Sequence, residues 1–207
     1  MRLAVLALAA ALGAGCSWAP AQRAPVTVYD LGMAVTPPRP GTIDAILEVP
    51  EVVAPAWLDS PAMHYRLAYD NGAKYSGYAN SRWAAPPAFL LTERLRQGAA
   101  GASRGVVRQG DGARADYVLR LELEEFTQVF DTPGTSRGVV RARASLISRA
   151  DRGLLGQTTL NLEQPAATPD AAGGVKALGQ ASDMLVASVL DWTSRTLQAS
   201  ARAAGSR

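Results

Sequence analysis

The chain has 207 residues, 48% hydrophobic and 19% charged, the composition of one globular domain large enough to bury a core. Its formal net charge of +3 comes almost entirely from arginines scattered singly among acidic and apolar residues; only Lys74 and Lys176 are lysines. Nucleic-acid binding needs a clustered basic footprint, and with none here nucleic acid is excluded as a partner.

Residues 1–15 read as a lipoprotein signal peptide. Met1-Arg2 supplies a short positive start, Leu3 to Leu12 is an unbroken apolar run, and the small residues Gly13-Ala14-Gly15 precede Cys16. About 13 apolar residues rise only about 20 Å as a helix, short of the ~30 Å hydrocarbon core of a bilayer, which argues against a transmembrane span. Cys16 is the only cysteine, so it has no intramolecular disulfide partner. Its position matches the bacterial lipobox, in which the thiol takes a diacylglycerol and becomes the new N-terminus. Gly13 departs from that pattern, standing where leucine is usual, with Leu12 one place further out. Two or three acyl chains (palmitate among them), at ~0.8 kcal/mol per buried methylene, anchor a soluble domain stably. Residues 16–25, with their Pro and Ala, are the lipidated tether. Ser17, unlike an aspartate, does not resemble an inner-membrane retention signal, so the expected location is the inner leaflet of the outer membrane, facing the periplasm.

The domain proper is expected over residues 26–201. Val26–Leu31 reads as a first strand, the prolines of Thr36–Gly41 as a loop, and Ile43–Val49 as a second strand. Pro50–Pro61 is an irregular crossing. Met63–Tyr69 and Lys74–Tyr78 flank Asp70-Asn71-Gly72-Ala73, whose Asn-Gly is the signal of a tight hairpin. Pro86-Pro87 opens a helix bearing Phe89, Leu90, Leu91 and Leu95, with Gly98 as its expected C-cap. After a short strand at Gly105–Gln109, Asp116–Phe130 is the clearest strand. Tyr117, Leu119, Leu121 and Leu123 alternate with Val118, Arg120, Glu122 and Glu124, giving one buried and one wet face. Gly138–Arg149 and Leu154–Glu163 complete a meander, closed by turns at Thr132-Pro133-Gly134 and Asp151-Arg152-Gly153. A last helix runs from about Gly174 to Ala201, with Val175, Leu178, Ser182, Leu185, Val189, Trp192 and Thr196 on its core stripe. Residues 202–207 read as a frayed tail. The expected fold is α+β: a mixed or mostly antiparallel sheet with two main helices packed on it, in a single domain.

Catalytic chemistry finds little to use. His64 is the only histidine, and Cys16 sits on the tether, away from any base. No His, Cys, Asp or Glu cluster has metal-ligand spacing, and no glycine-rich stretch has a phosphate-loop or dinucleotide pattern. Neither a metal nor another cofactor is expected. Glu122 and Glu124 face positions where Arg141 and Arg143 can pair with them across strands. The chain does not read as an enzyme.

One stretch stands out. Tyr75-Ser-Gly-Tyr78-Ala-Asn-Ser81-Arg82-Trp83-Ala-Ala-Pro86-Pro87 puts aromatics, an arginine and two prolines at a strand-to-helix junction. Either Trp83 caps the core with Arg82 folded over an aromatic ring, or Tyr78, Ser81, Arg82 and Trp83 form a partner-binding surface, since Trp, Tyr and Arg dominate interface hot spots. Tyr78–Leu95 resembles the hallmark of the ABC-type transport auxiliary lipoprotein (PqiC-like) family, which runs Tyr-x-x-Ser-Arg-Trp-x-x-Pro-Pro into a Leu-rich helix ending in Arg-Leu. Tyr29-Asp30-Leu31-Gly32, Pro55-x-x-Leu58-Asp59, Phe126 and Trp192 agree in order. The resemblance implies a non-enzymatic, periplasm-facing subunit working with an MCE-domain protein and an ABC permease and ATPase. Such systems move phospholipids or other apolar molecules across the envelope. A stand-alone lipid-binding carrier is the alternative, and a homo-oligomer is compatible with either.

Overall fold

The computed structural model describes residues 24–34 and 43–205. Cys16, the signal peptide and the proline-rich loop of residues 36–41 lie outside the described residues, as does the tether up to residue 23. The meander forms as its alternation requires. β6 (Tyr117–Thr132), β7 (Thr135–Ser148) and β8 (Leu154–Pro165) pair antiparallel in sequence order. The other edge of β6 is shared along its length. β2 (Ile43–Glu48) pairs parallel with its start, Val53 bridges Glu122 at its middle, and β3 (Ala62–Leu67) pairs parallel with residues 128–130. From there the sheet forks: β2 continues to β5 (Ser103–Val107), while β3 pairs antiparallel with β4 (Gly72–Trp83), which pairs parallel with β1 (Thr27–Tyr29). The result is one mixed sheet of eight strands with two main helices on one face, α+β as expected.

A bulge sets which side chains enter the core. Leu119, Leu121 and Leu123 of β6 are at most 2% exposed. Between Leu123 and Glu125 the register shifts, so the even-numbered Phe126, Gln128 and Phe130 are buried beyond it; Thr127, between them, is buried as well. Glu122, Glu124 and Glu125 stay on the open face. There Glu124 accepts from Arg141 at 3.1 Å and from Arg143 at 2.8 Å, and Glu122 lies 3.8 Å from Arg143. These are cross-strand pairs with partly wet side chains, screened by water, and they add little to stability.

Several elements differ from expectation for identifiable reasons. The expected hairpin forms, as β3 paired with β4, but its connection is a short helical turn, α1 (Ala68–Asn71), in place of a tight Asn71-Gly72 turn. The Asn71 side chain accepts from the Ala73 amide at 3.1 Å, Arg66 donates to the Gly72 carbonyl at 3.0 Å, and Gly72 keeps an ordinary φ of −63°. β4 runs on to Trp83, because β1 and β3 supply partners on both of its edges. α2 (Pro87–Ala102) passes through Gly98, which caps nothing. A side chain starting at Gly98 would come 2.5 Å from Val186 and 3.3 Å from Leu190, so this glycine sets the close approach of the two helices. The last helix, α3 (Ala171–Gly205), continues past residue 201, taking in most of the expected tail.

Asp170 starts α3. Its carboxylate accepts from the Gly173 amide and the Thr168 hydroxyl, both at 2.8 Å, and the amide bond is the first cause holding its pKa below the usual range. Leu178 and Leu185 enter the common core, but α3 lies mainly on β7 and β8. Trp192 is only half buried, its ring resting 3.4 Å from where a side chain on Gly156 of β8 would begin. Gly138 of β7 is where the backbone of α3 comes close to the sheet. A methyl there would meet the Leu178 nitrogen at 2.7 Å and the Ala177 carbonyl carbon at 2.8 Å, both backbone atoms that cannot rotate away. Gly138→Ala is therefore expected to cost roughly 1–3 kcal/mol, measured by denaturant unfolding. A loss near zero would mean that α3 is not fixed against β7.

Candidate partner-binding surface

Successive side chains on a strand point to opposite faces, and this divides the Tyr78–Trp83 patch. Trp83 turns into the core, 1% exposed, with its ring edge-on to Phe126 at 5.5 Å between centroids. Arg82 points the other way and is exposed, between Val28 of β1 and Ala62 of β3 in register. Among the described residues it has no recorded ion pair. Alternation is broken between Arg82 and Gly77, where the β3–β4 register shifts, so Tyr78 also lies on the helix side, half buried: its ring sits 4.9 Å from that of Tyr65, and its hydroxyl donates to Gln128 at 2.8 Å. Burial pushes the Tyr78 pKa up to about 12. Ser81 is half exposed opposite Thr27. The four residues share a strand but no common surface. Arg82 is the only exposed residue of the four, so Arg82→Ala should move the melting temperature by no more than roughly 1–2 °C.

The cation–π contact of this region belongs to a different arginine. Arg66 stands 4.4 Å above the Tyr75 ring and 3.4 Å from the Glu125 carboxylate. His64 also packs against Tyr75, its ring 4.6 Å away and tilted. Burial holds the His64 pKa below its ordinary value, with the backbone of Ser76 and Trp57 offsetting part of the effect. A histidine with a lowered folded-state pKa takes up its proton more readily when unfolded, so stability falls as pH drops through the ordinary histidine range near 6.5. The wild type should therefore lose more stability between pH 7.5 and pH 5.5 than His64→Gln does, in paired thermal melts. Equal losses would leave His64 without a part in the acid response. Tyr75 is likewise pushed up by burial. Among the described residues no three metal-ligating side chains gather, and no helix is long and apolar enough to cross a membrane.

Two polar centres were not foreseen from the sequence. Arg94 of α2 is buried with a side-chain exposure of 7% and donates to Asp183 of α3 at 2.7 Å. Its second nitrogen donates to the Leu31 carbonyl at 2.9 Å and the Gly32 carbonyl at 2.5 Å. One guanidinium thus ties both helices to the segment that enters from the tether. Gln128, 1% exposed, joins Tyr78 to Ser136 (2.8 Å) and to the Asp170 carbonyl (3.1 Å), holding β4 to the start of α3. Arg94 sits in the Thr92-Glu93-Arg94-Leu95 run, where helix spacing alone gives no sign that a charge points inward.

Comparison with known proteins fits this architecture. A family model described as the ABC-type transport auxiliary lipoprotein component matches residues 29–189. The fold is similar to that of XCC0632 from Xanthomonas campestris, a protein assigned to DUF330. The TM-score is 0.74 and the identity 21%, over 85% of this chain and 99% of that one. A second crystal structure, of a protein described only as uncharacterized, matches with a TM-score of 0.64 and 18% identity over 82% and 99% of the two chains. No curated protein matches the sequence.

Proposed function

The chain belongs to the ABC-type transport auxiliary lipoprotein component family, and from that premise we propose that it is a non-enzymatic, lipid-anchored subunit that docks onto an MCE-domain protein and its ABC permease and ATPase. In this reading Cys16 carries the lipid and the domain faces the periplasm from the outer membrane. The transporter moves phospholipid or another apolar molecule between the membranes. The observation that carries docking over cargo-holding is the filled space between sheet and helices. Leu47, Leu91, Leu95, Leu119, Leu185 and Val189 are all 0% exposed there. A carrier would need a dry cavity of several hundred Å³ at that place. Arg82 is the member of the Tyr78–Trp83 patch best placed to reach a partner. If it is a hot spot, Arg82→Ala weakens association by about 2 kcal/mol or more with the fold intact.

Two measurements test this reading. Native mass spectrometry of the purified protein distinguishes docking from carriage: the docking reading expects no stoichiometric lipid beyond the covalent anchor, and one bound lipid per chain would favour the carrier. Cys16→Ser should release the protein from membranes in detergent phase separation; a variant that still partitions there with the mass of the mature form would overturn the anchor.

A further inference from the structure

We propose that the cleft between the Pro50–Pro61 crossing and the start of α2 receives a polypeptide segment that inserts an apolar side chain next to a lysine or arginine. The proposal rests on the docking reading above and gives it an address. The cleft measures about 330 Å³. Val52 and Ala88, 6% and 8% exposed, form its floor, Pro86 and Phe89 its wall, and the exposed carboxylates of Glu51 and Asp59 stand around it. Phe89 is 51% exposed, an aromatic ring left half in water at the mouth of an apolar groove.

Its walls are held in place before anything binds. The Val52 amide donates to the Thr92 hydroxyl at 2.9 Å, and that hydroxyl donates to the Ala88 carbonyl at 2.7 Å, stitching the crossing to α2. Leu58, fully buried, anchors the 3₁₀ turn Ala56–Leu58 that ends at Asp59. Pro86 and Pro87 fix the entry to the helix. A groove ordered in advance binds without the entropy cost of ordering itself. Its lining comes from two stretches far apart in sequence, 51–59 and 85–92; Asp59 and the residues of the second stretch belong to the motifs singled out above, Glu51 and Val52 do not.

Charge selects the occupant. Among the described residues neither Glu51 nor Asp59 has a recorded ion pair, so the rim presents two uncompensated carboxylates around an apolar floor. The phosphate of a phospholipid headgroup would be repelled there, whereas a cation beside an aliphatic or aromatic anchor satisfies both features. The volume lies at the small end of the ~300–1,000 Å³ range of binding pockets, room for one or two anchoring side chains.

The probe is the purified MCE-domain protein, titrated against the mature lipoprotein. Phe89→Ala, Glu51→Lys and Asp59→Lys should each weaken binding about tenfold or more while keeping the wild-type melting temperature. Raising the salt from about 50 to about 300 mM should weaken the wild-type complex more than the Asp59→Lys complex. If the wild type itself does not bind, the docking reading fails and the cleft proposal falls with it. If the wild type binds and the three variants bind equally well, the cleft alone is overturned. Self-association of the chain, or binding to anionic phospholipid vesicles, that disappears in Phe89→Ala would also overturn it, by assigning the groove another occupant.

Discussion

Replacing Arg94 by methionine should cost the fold about 3–5 kcal/mol, the loss expected when one partner of a buried ion pair is removed. For a chain of this length that lowers the melting temperature by roughly 10 °C or more. The arginine is buried against a buried aspartate, and the change removes three of its hydrogen bonds: to Asp183 of α3 and to the Leu31 and Gly32 carbonyls. A thermal melt beside the wild type measures the loss. Replacing both members of the pair, Arg94→Met with Asp183→Leu, should recover much of it, because a buried ion pair often gives no more net stability than well-packed apolar residues. A single variant that melts within about 2 °C of the wild type would mean that the guanidinium is solvated in solution.

Trp83→Ala should be similarly damaging, for a different reason. The ring is the largest fully buried side chain among the described residues and packs edge-on against Phe126. Truncating a packed tryptophan leaves a cavity where β1, β3 and β4 meet the core and costs about 3–5 kcal/mol. Arg82, one residue away and facing water, should cost almost nothing. The contrast between these neighbours is a direct check on the face assignment of β4. If Arg82→Ala destabilised the fold as much as Trp83→Ala, the strand would be turned the other way.

The meander was legible in the sequence because β6, β7 and β8 are consecutive, their turns carry Pro, Gly and Asp, and Leu119, Leu121 and Leu123 mark one face without interruption. The same alternation misleads after Leu123. Glu124-Glu125, two acids between apolar residues, is the trace of the bulge, and a strict period of two carries the wrong face forward from there. The long strand to Trp83 was not legible, since β1 pairs with β4 across more than fifty residues and such pairing leaves no local pattern. Glycines were read as punctuation, yet Gly98 and Gly138 serve as places where a helix must come close. Trp83 was already legible as a core cap. The neighbours of Arg82 were not, because the cation–π partner in the fold is Arg66, brought to Tyr75 by the β3–β4 pairing. Arg94 and Gln128 are polar residues on otherwise ordinary elements, and only the tertiary structure shows that they point inward.

The most direct test of the docking account is co-purification of the mature lipoprotein from solubilised membranes, with mass spectrometry of the proteins and lipids that accompany it. The account predicts that an MCE-domain protein comes with it in fixed proportion, together with an ABC permease and ATPase. It also predicts that no lipid is held stoichiometrically by the isolated chain. A chain that emerges without any transporter subunit and carries one lipid molecule per copy would contradict it.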